Sequence, residues 1–177
     1  DPGIDAKDKL GSYNVSGNVM SLIYGTKSGG SIGGFSDKTV LPCDACFAKL
    51  FSAFTAETTH PGTTTDATSG TTAVKYGPKD ISNLVLPATT LRYNCYDRMF
   101  NGCGAVTGAC PKLPATALKT YCYLSMFAGC RGITKTCDIN PTVIGYGSLQ
   151  CMFLDCKNLT DASNVIISST APDCCRS

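Results

Sequence analysis

The chain has 177 residues, with 15 Lys and Arg against 13 Asp and Glu and a formal net charge of +2. This length suits one domain with a buried core. The low and scattered charge excludes a nucleic-acid binder that works through a basic face. No apolar stretch approaches the roughly 20 residues that a membrane-spanning helix needs, so no membrane span is expected.

Residues 1–40 precede the repeats described below, and we expect them to form an N-terminal cap. A stack of repeats exposes strand edges and apolar side chains at its ends, which such a cap would cover. Val19, Leu22 and Ile23 are the apolar side chains that we expect to pack inward onto the first coil.

Residues 41–177 are predicted to form the repeat domain, which begins with a C-x-x-C pair at Cys43 and Cys46. This spacing is typical of zinc and redox sites. A structural zinc would need two further ligands, and the only histidine, His60, lies in a Thr-rich segment. Because Cys46 also occupies an apolar position of the repeat, we favour a structural role and predict neither a metal nor another cofactor.

The Thr-rich segment interrupts the repeat over residues 55–82. Its threonines, glycines and prolines bury little and are typical of a surface loop or hairpin. The segment is either a tolerated insertion between two coils, or a binding loop or carrier of O-linked glycans.

An internal repeat dominates the rest of the chain. The block 86–91 (LPATTL) returns as 113–118 (LPATAL), and the same shift maps Cys95 onto Cys122. Met99, Met126 and Met152 mark three successive copies, and a weaker copy lies upstream at 46–51. The sequence therefore predicts about four coils, the last one incomplete, which gain stability by stacking.

Each coil carries two local patterns. From Leu91 onward, apolar side chains recur at i, i+4, i+5, i+8, i+9 and i+12, which predicts one stripe on a helix. Residues 106–110 then alternate in the manner of a short strand. One helix and one or two short strands per coil would stack into a narrow parallel sheet.

These blocks resemble the BspA-type leucine-rich repeats of surface proteins from gut and oral bacteria. The resemblance lies in 86–91 (LPATTL), in Cys-Tyr-x-x-Met-Phe at 95–100, in Gly-Cys at 102–103 and in the Val-Thr pair at 106–107. Residues 13–25 are similar to the segment that precedes such repeats in Bacteroides-like proteins. The resemblance implies an α/β repeat fold, a leucine-rich-repeat-type right-handed solenoid, and a secreted or cell-surface protein without catalytic residues.

The positions of the 12 cysteines match the internal repeat better than they match the disulfide framework of a small secreted domain. Packed helices lie roughly 8–10 Å apart, so Cys95 and Cys122 are expected to be too distant to bond and to serve as small core residues. Cys110 and Cys137 would instead lie on adjacent strands about 4.8 Å apart, close enough for a disulfide. These two positions usually hold small or polar residues in the repeats that the chain resembles.

Two functions fit these features, and neither is enzymatic. The first is a binding or adhesion module for a protein or glycan ligand on a host or other cell surface. A threonine ladder on the strands, with Lys135 and Asp161 beside it, is the candidate contact surface, although threonines also simply favour strands. The ladder consists of Thr107, Thr134 and Thr160.

The alternative function is a structural or assembly module of a phage particle or surface appendage, which docks against neighbouring subunits. An enzyme is disfavoured because a single histidine and scattered acidic residues supply little for general acid–base catalysis.

Overall fold

A computed structural model of the chain describes residues 12–25, 34–52, 54–55, 75–107 and 109–167. Regular secondary structure is sparse in these residues, which contain one short helix and five short strands. The elements are β1 (Ser12–Asn14), β2 (Gly17–Asn18), α1 (Ser21–Tyr24), β3 (Phe54–Thr55), β4 (Lys75–Asp80) and β5 (Leu84–Val85).

The strands form two small sheets. One sheet has the order β1–β4–β3, in which β1 and β4 are parallel and β3 and β4 are antiparallel. In the other sheet, β2 and β5 are parallel, with Gly17 opposite Leu84. Two parallel strands cannot be joined by a short turn, and a long stretch of chain accordingly separates β2 from β5. The two strands belong to successive layers of the fold.

The stacked chain contains four turn ribbons, namely residues 43–52, 92–103, 119–130 and 145–156. Along each of the first three ribbons, the backbone amides donate alternately to carbonyls of the same ribbon and to carbonyls of the next ribbon. The amide of Asp97 donates to the carbonyl of Asn94 within its own ribbon at 3.1 Å. The amide of Tyr96 donates instead to Cys122 of the next ribbon at 2.9 Å. Each ribbon is thereby joined to the next by backbone hydrogen bonds along its length.

Every fourth residue of the ribbons has a positive φ, as in Asn94 (54°), Arg98 (53°) and Gly102 (78°). This conformation is unfavourable for residues other than Gly, Asn and Asp. We attribute its persistence to the bonds between ribbons, because in the first three ribbons the amide of each of these residues donates to the neighbouring ribbon, as the amide of Arg98 does to the carbonyl of Leu124 at 2.8 Å. The other ribbon residues with positive φ are Ala45, Lys49, Tyr121, Ser125, Gly129, Gly147, Cys151 and Asp155.

The prediction of one helix per coil is therefore wrong for the described residues. In an α-helix every amide donates to the fourth residue back, whereas here half of the amides leave the ribbon. The apolar spacing that begins at Leu91 suits both structures, because two inward side chains recur in each four-residue turn. Since the ribbons are hydrogen-bonded neighbours, the wide helix-to-helix separation expected between Cys95 and Cys122 is also wrong.

Segments one repeat apart also meet beside the ribbons, through isolated parallel bridges. One row of bridges joins Thr90 to Ala117 and Ala117 to Val143, and it begins at Val40. Further bridges pair Asp80 with Thr107, Lys135 with Asp161, and Ile139 with Val165. The repeat seen in the sequence therefore sets the spatial register of the layers.

The core consists of columns of equivalent side chains that run through the stack. Four phenylalanines, Phe51, Phe100, Phe127 and Phe153, have successive ring centroids 5.5, 5.3 and 5.6 Å apart and nearly parallel planes. A second column joins Phe47, Tyr96 and Tyr123 at 5.7 and 5.8 Å. Three methionines are buried at equivalent positions of consecutive ribbons, Met99, Met126 and Met152.

The N-terminal segment contacts the first layer only partly as expected. Val19 is buried and Ile23 is half-buried against the core, but Leu22 is 64% exposed, so its predicted inward packing is wrong. The hydroxyl of Tyr24 donates to the carbonyl of Val40 at 2.8 Å and ties α1 to the first layer. The cap at 1–40, the insertion at 55–82 and the right-handed leucine-rich-repeat-type solenoid stay predictions, and β4 lies inside the predicted insertion.

Candidate ligand-binding surface

The predicted threonine ladder lies on the exposed side of the stack, with Thr107, Thr134 and Thr160 all accessible to solvent. The backbone amide of Thr160 donates to the carbonyl of Thr134 at 3.0 Å, and its hydroxyl approaches the same oxygen at 3.4 Å. The structure therefore brings Thr134 and Thr160 together on adjacent layers. Thr107 lies opposite Asp80 of the preceding layer.

Lys135 and Asp161 lie beside this ladder and form an ion pair, with Nζ and Oδ2 3.1 Å apart. Hydrogen bonds from Ser163, together with the nearby Lys135 ammonium, lower the pKa of Asp161 to about 2. The pair is solvent-exposed and its charges compensate each other. A charged ligand would have to separate the pair before it could use either group, so these two residues form a weak recognition site.

A groove of about 400 Å³ lies beside the isolated bridges of the last layers of the stack. Two rows of residues, each spaced by one repeat, contribute to its lining. One row is Lys112, Asp138 and Asn164, and the other is Pro114, Asn140 and Ile166. Equivalent positions of successive layers thus build one continuous groove.

The backbone of the last two layers holds this groove in place. The amide of Ile139 donates to the carbonyl of Asn164 at 3.0 Å, and the amide of Ile166 donates to the carbonyl of Ile139 at 2.9 Å. Leu113 and Ile139 supply a buried apolar floor. The side chains of Lys112, Asp138 and Asn140 are exposed.

The groove combines an apolar floor with a few polar groups, which is the usual composition of a binding site. A lysine ammonium, a carboxylate and an amide can bind hydroxyl, amide or charged groups of a ligand. These residues differ from one layer to the next, so a pattern of identical side chains at equivalent positions does not reveal them. The regular spacing of three different polar residues, Lys112, Asp138 and Asn164, was the signal that could have found them.

Cys110 and Cys137, the pair predicted to form a disulfide, both carry free thiols in this structure. Burial is the main cause that raises the pKa of Cys137, and a hydrogen bond with the Cys110 side chain contributes. The Cys110 thiol also lies 3.6 Å from the carbonyl of Lys135. The two side chains are therefore neighbours, and the disulfide itself stays a prediction.

In the part of the chain that the structure describes, no group of three or more His, Cys, Asp or Glu side chains comes together to hold a metal ion. The same residues contain no helix with the length and apolar character needed to cross a bilayer. His60, the only histidine, lies outside the described residues.

Comparison of the chain with models of protein families, with curated proteins and with solved structures gives no match.

Proposed function

We propose that the chain is a non-enzymatic binding module, a leucine-rich-repeat-type solenoid of the BspA kind, which acts as a secreted or cell-surface protein. Its ligand is an extended protein segment or glycan that lies along the groove. The observation that carries this proposal is the construction of the groove from equivalent residues of successive layers. A polymer with regularly spaced groups is the class of ligand that such a repeated surface suits.

The groove is a stronger candidate contact surface than the threonine ladder. Lys135 and Asp161 satisfy each other beside the ladder, whereas Lys112 and Asp138 form no ion pair among the described residues. A ligand would also remove water from the exposed apolar side chains of Pro114 and Ile166 in the groove lining, which a flat row of threonines does not offer. We therefore assign the ladder a secondary role.

An array of glycans and extracellular-matrix proteins tests this proposal, followed by Kd measurements on the ligand that binds. Asn140→Ala and Asp138→Ala change exposed groove side chains, and each should weaken binding about tenfold, equivalent to about 1.4 kcal/mol. Thr134→Ala is the matched control on the ladder, and because the ladder has a secondary role it should change Kd by less than about twofold. The proposal fails if no array component binds, or if the groove variants bind like the unmodified chain.

We also propose an assembly role as a second candidate, because the two ends of the stack are complementary. Between ribbons, amides of one layer donate to carbonyls of the next, as Phe127 does to Met152 at 2.9 Å. In the last ribbon, the equivalent amides of Leu149 and Phe153 donate no hydrogen bond within the described structure. In the first ribbon, the carbonyls at the positions equivalent to the acceptors Ser148 and Met152 are those of Cys46 and Leu50.

Apolar side chains accompany these backbone edges. Among the described residues, Val40 and Val143 end the same row of bridges at opposite ends of the stack and are 48% and 59% exposed. A second copy could add its first layer to the last layer of another, which extends the phenylalanine column from Phe153 to Phe51. Such a head-to-tail contact does not close on itself and generates a filament.

Two variants with opposite blocked ends test the assembly role. Val40→Lys blocks the first layer and Val143→Lys blocks the last, so each variant alone should remain monomeric in analytical ultracentrifugation. Their mixture should form dimers and stop there, because only one unblocked end of each kind remains. An unmodified chain that stays monomeric at all concentrations, or a mixture without dimers, contradicts this role.

A further inference from the structure

The two thiols of the C-x-x-C pair in the first ribbon lie directly beside each other. The Sγ atoms of Cys43 and Cys46 lie 2.8 Å apart. Cys43 is exposed and Cys46 is half-buried. A disulfide bond of about 2.05 Å requires the two sulfurs to approach by less than about 1 Å, which a side-chain rotation can supply.

The interior cysteines, by contrast, are fixed in the stack. The thiols of Cys130 and Cys156 donate to backbone carbonyls of the preceding ribbon at 3.1 Å. Cys95 is fully buried, and burial raises its pKa to about 12. A buried and protonated thiol reacts slowly with an oxidant, because the thiolate is the nucleophile and access is blocked.

We propose that Cys43 and Cys46 form a reversible disulfide by exchange with a low-molecular-weight disulfide. The Cys43 thiolate attacks one sulfur of the reagent, and the other half of the reagent leaves as a thiolate and takes up the proton. The Cys46 thiol then loses its proton, and its sulfur attacks Sγ of Cys43. The second half of the reagent leaves as a thiol, so two protein thiols are oxidised and one external disulfide is reduced.

The order of attack follows from exposure, because Cys43 is the more accessible of the two sulfurs. Burial and the hydrogen bond with Cys43 raise the pKa of Cys46 to about 11, which suits a resolving thiol better than an attacking one. The second ribbon supports the turn between them. The amide of Tyr93 donates to Asp44 Oδ1 at 3.2 Å, and the amide of Ala45 donates to the Tyr93 carbonyl at 2.9 Å.

Oxidised and reduced glutathione, mixed at a series of ratios with the folded 177-residue chain, test this inference. After an acid quench and alkylation, trypsin releases Cys43 and Cys46 together in the peptide 39–49, which contains no other cysteine. The expected result is a loss of two hydrogens from this peptide at ratios where Cys95 and Cys122 remain alkylatable thiols. Reduced dithiothreitol should restore both thiols.

Two single variants separate the steps. Cys46→Ser should accumulate one glutathionyl group on Cys43, because the resolving thiol is absent. Cys43→Ser should acquire little on Cys46 under the same conditions. The proposal is overturned if peptide 39–49 remains reduced, if the unmodified chain retains glutathione on Cys43, or if Cys95 or Cys122 oxidises equally fast.

Discussion

The Sγ of Cys130 donates a hydrogen bond to the backbone carbonyl of Phe100 in the preceding ribbon at 3.1 Å. Cys156 makes the same contact with Phe127, and Cys103 makes it with Phe51, both at 3.1 Å. The same hydrogen bond from a thiol to a backbone carbonyl therefore occurs in three successive layers. A cysteine serves well here, because it is a small apolar side chain that can still donate weakly to a buried oxygen.

The first prediction concerns Cys130, which is fully buried. Cys130→Ala removes the sulfur and its hydrogen bond and leaves a small cavity, so the free energy of unfolding should fall by about 2 kcal/mol. Cys130→Ser retains a donor toward Phe100 and should lose less. Urea unfolding followed by circular dichroism measures both changes, and a serine variant less stable than the alanine variant would contradict the role of the hydrogen bond.

The second prediction concerns Ser148, which occupies the position of Cys95 and Cys122 in the fourth ribbon. Its side chain is completely buried, and its hydroxyl has no hydrogen-bond partner among the residues that the structure describes. Ser148→Cys should therefore raise the free energy of unfolding by about 1 kcal/mol, because a buried polar group without a partner is replaced by a more apolar one. The reverse change, Cys122→Ser, is the control and should destabilise the chain in the same urea assay.

The third prediction compares two glycines that differ in the space around them. A Cβ at Gly145 would lie 2.7 Å from the carbonyl carbon of Lys119 and 2.8 Å from the carbonyl oxygen of Leu118. These are backbone atoms that cannot rotate away, so Gly145→Ala should cost about 2 kcal/mol or more. A Cβ at Gly104 meets nothing closer than 3.8 Å, so Gly104→Ala should change stability little. Equal melting temperatures for the two variants would refute the close contact between layers.

The repeat could be predicted from the sequence, because identical residues at a fixed spacing must occupy equivalent positions in a stack. The register of Met99, Met126 and Met152 follows from that spacing, and so do the aromatic columns. The backbone of the ribbons could not be derived in the same way. An apolar stripe with steps of four and five residues fits a helix as well as successive four-residue turns.

The signal that distinguishes the two structures is weak but present in the sequence. Asn94, Gly102, Gly129, Gly147 and Asp155 occupy positive-φ positions, and Gly, Asn and Asp are the residues that adopt this conformation most readily. Arg98 and other residues at equivalent positions carry no such preference. The bonds between layers decide their conformation, and these bonds depend on the whole stack rather than on local sequence.

The candidate site was predictable only in outline. A ladder of equivalent residues on the strands followed from the repeat, and Thr134 and Thr160 lie together as that ladder requires. The groove depends on how the connections before each ribbon are spaced, which the sequence pattern does not specify. Lys112 and Asp138 become neighbours in one lining only through that packing.

The fourth prediction concerns alkaline pH and the buried thiol of Cys95. Burial raises the pKa of this thiol from its ordinary value of 9.0 to about 12. Below pH 9.0 the thiol is protonated in both the folded and the unfolded chain, so its contribution to stability is fully present. Above this pH only the unfolded chain releases the proton, and stability should fall by up to about 1.4 kcal/mol per pH unit until the pH reaches the folded pKa.

Urea unfolding under reducing conditions, at pH values from about 8 to about 10.5, measures this slope. Lysines and tyrosines ionise over the same range, so the comparison must be made with a variant that differs in one thiol only. Cys95→Ser provides it, because a serine hydroxyl does not ionise in this range. The free energy of unfolding should fall less steeply with pH for this variant, because it has one ionising thiol fewer than the unmodified chain. If the free energy of unfolding depends on pH in the same way for both chains, Cys95 is as accessible to water in the folded chain as in the unfolded one. That result would contradict the burial of Cys95 in the stacked core.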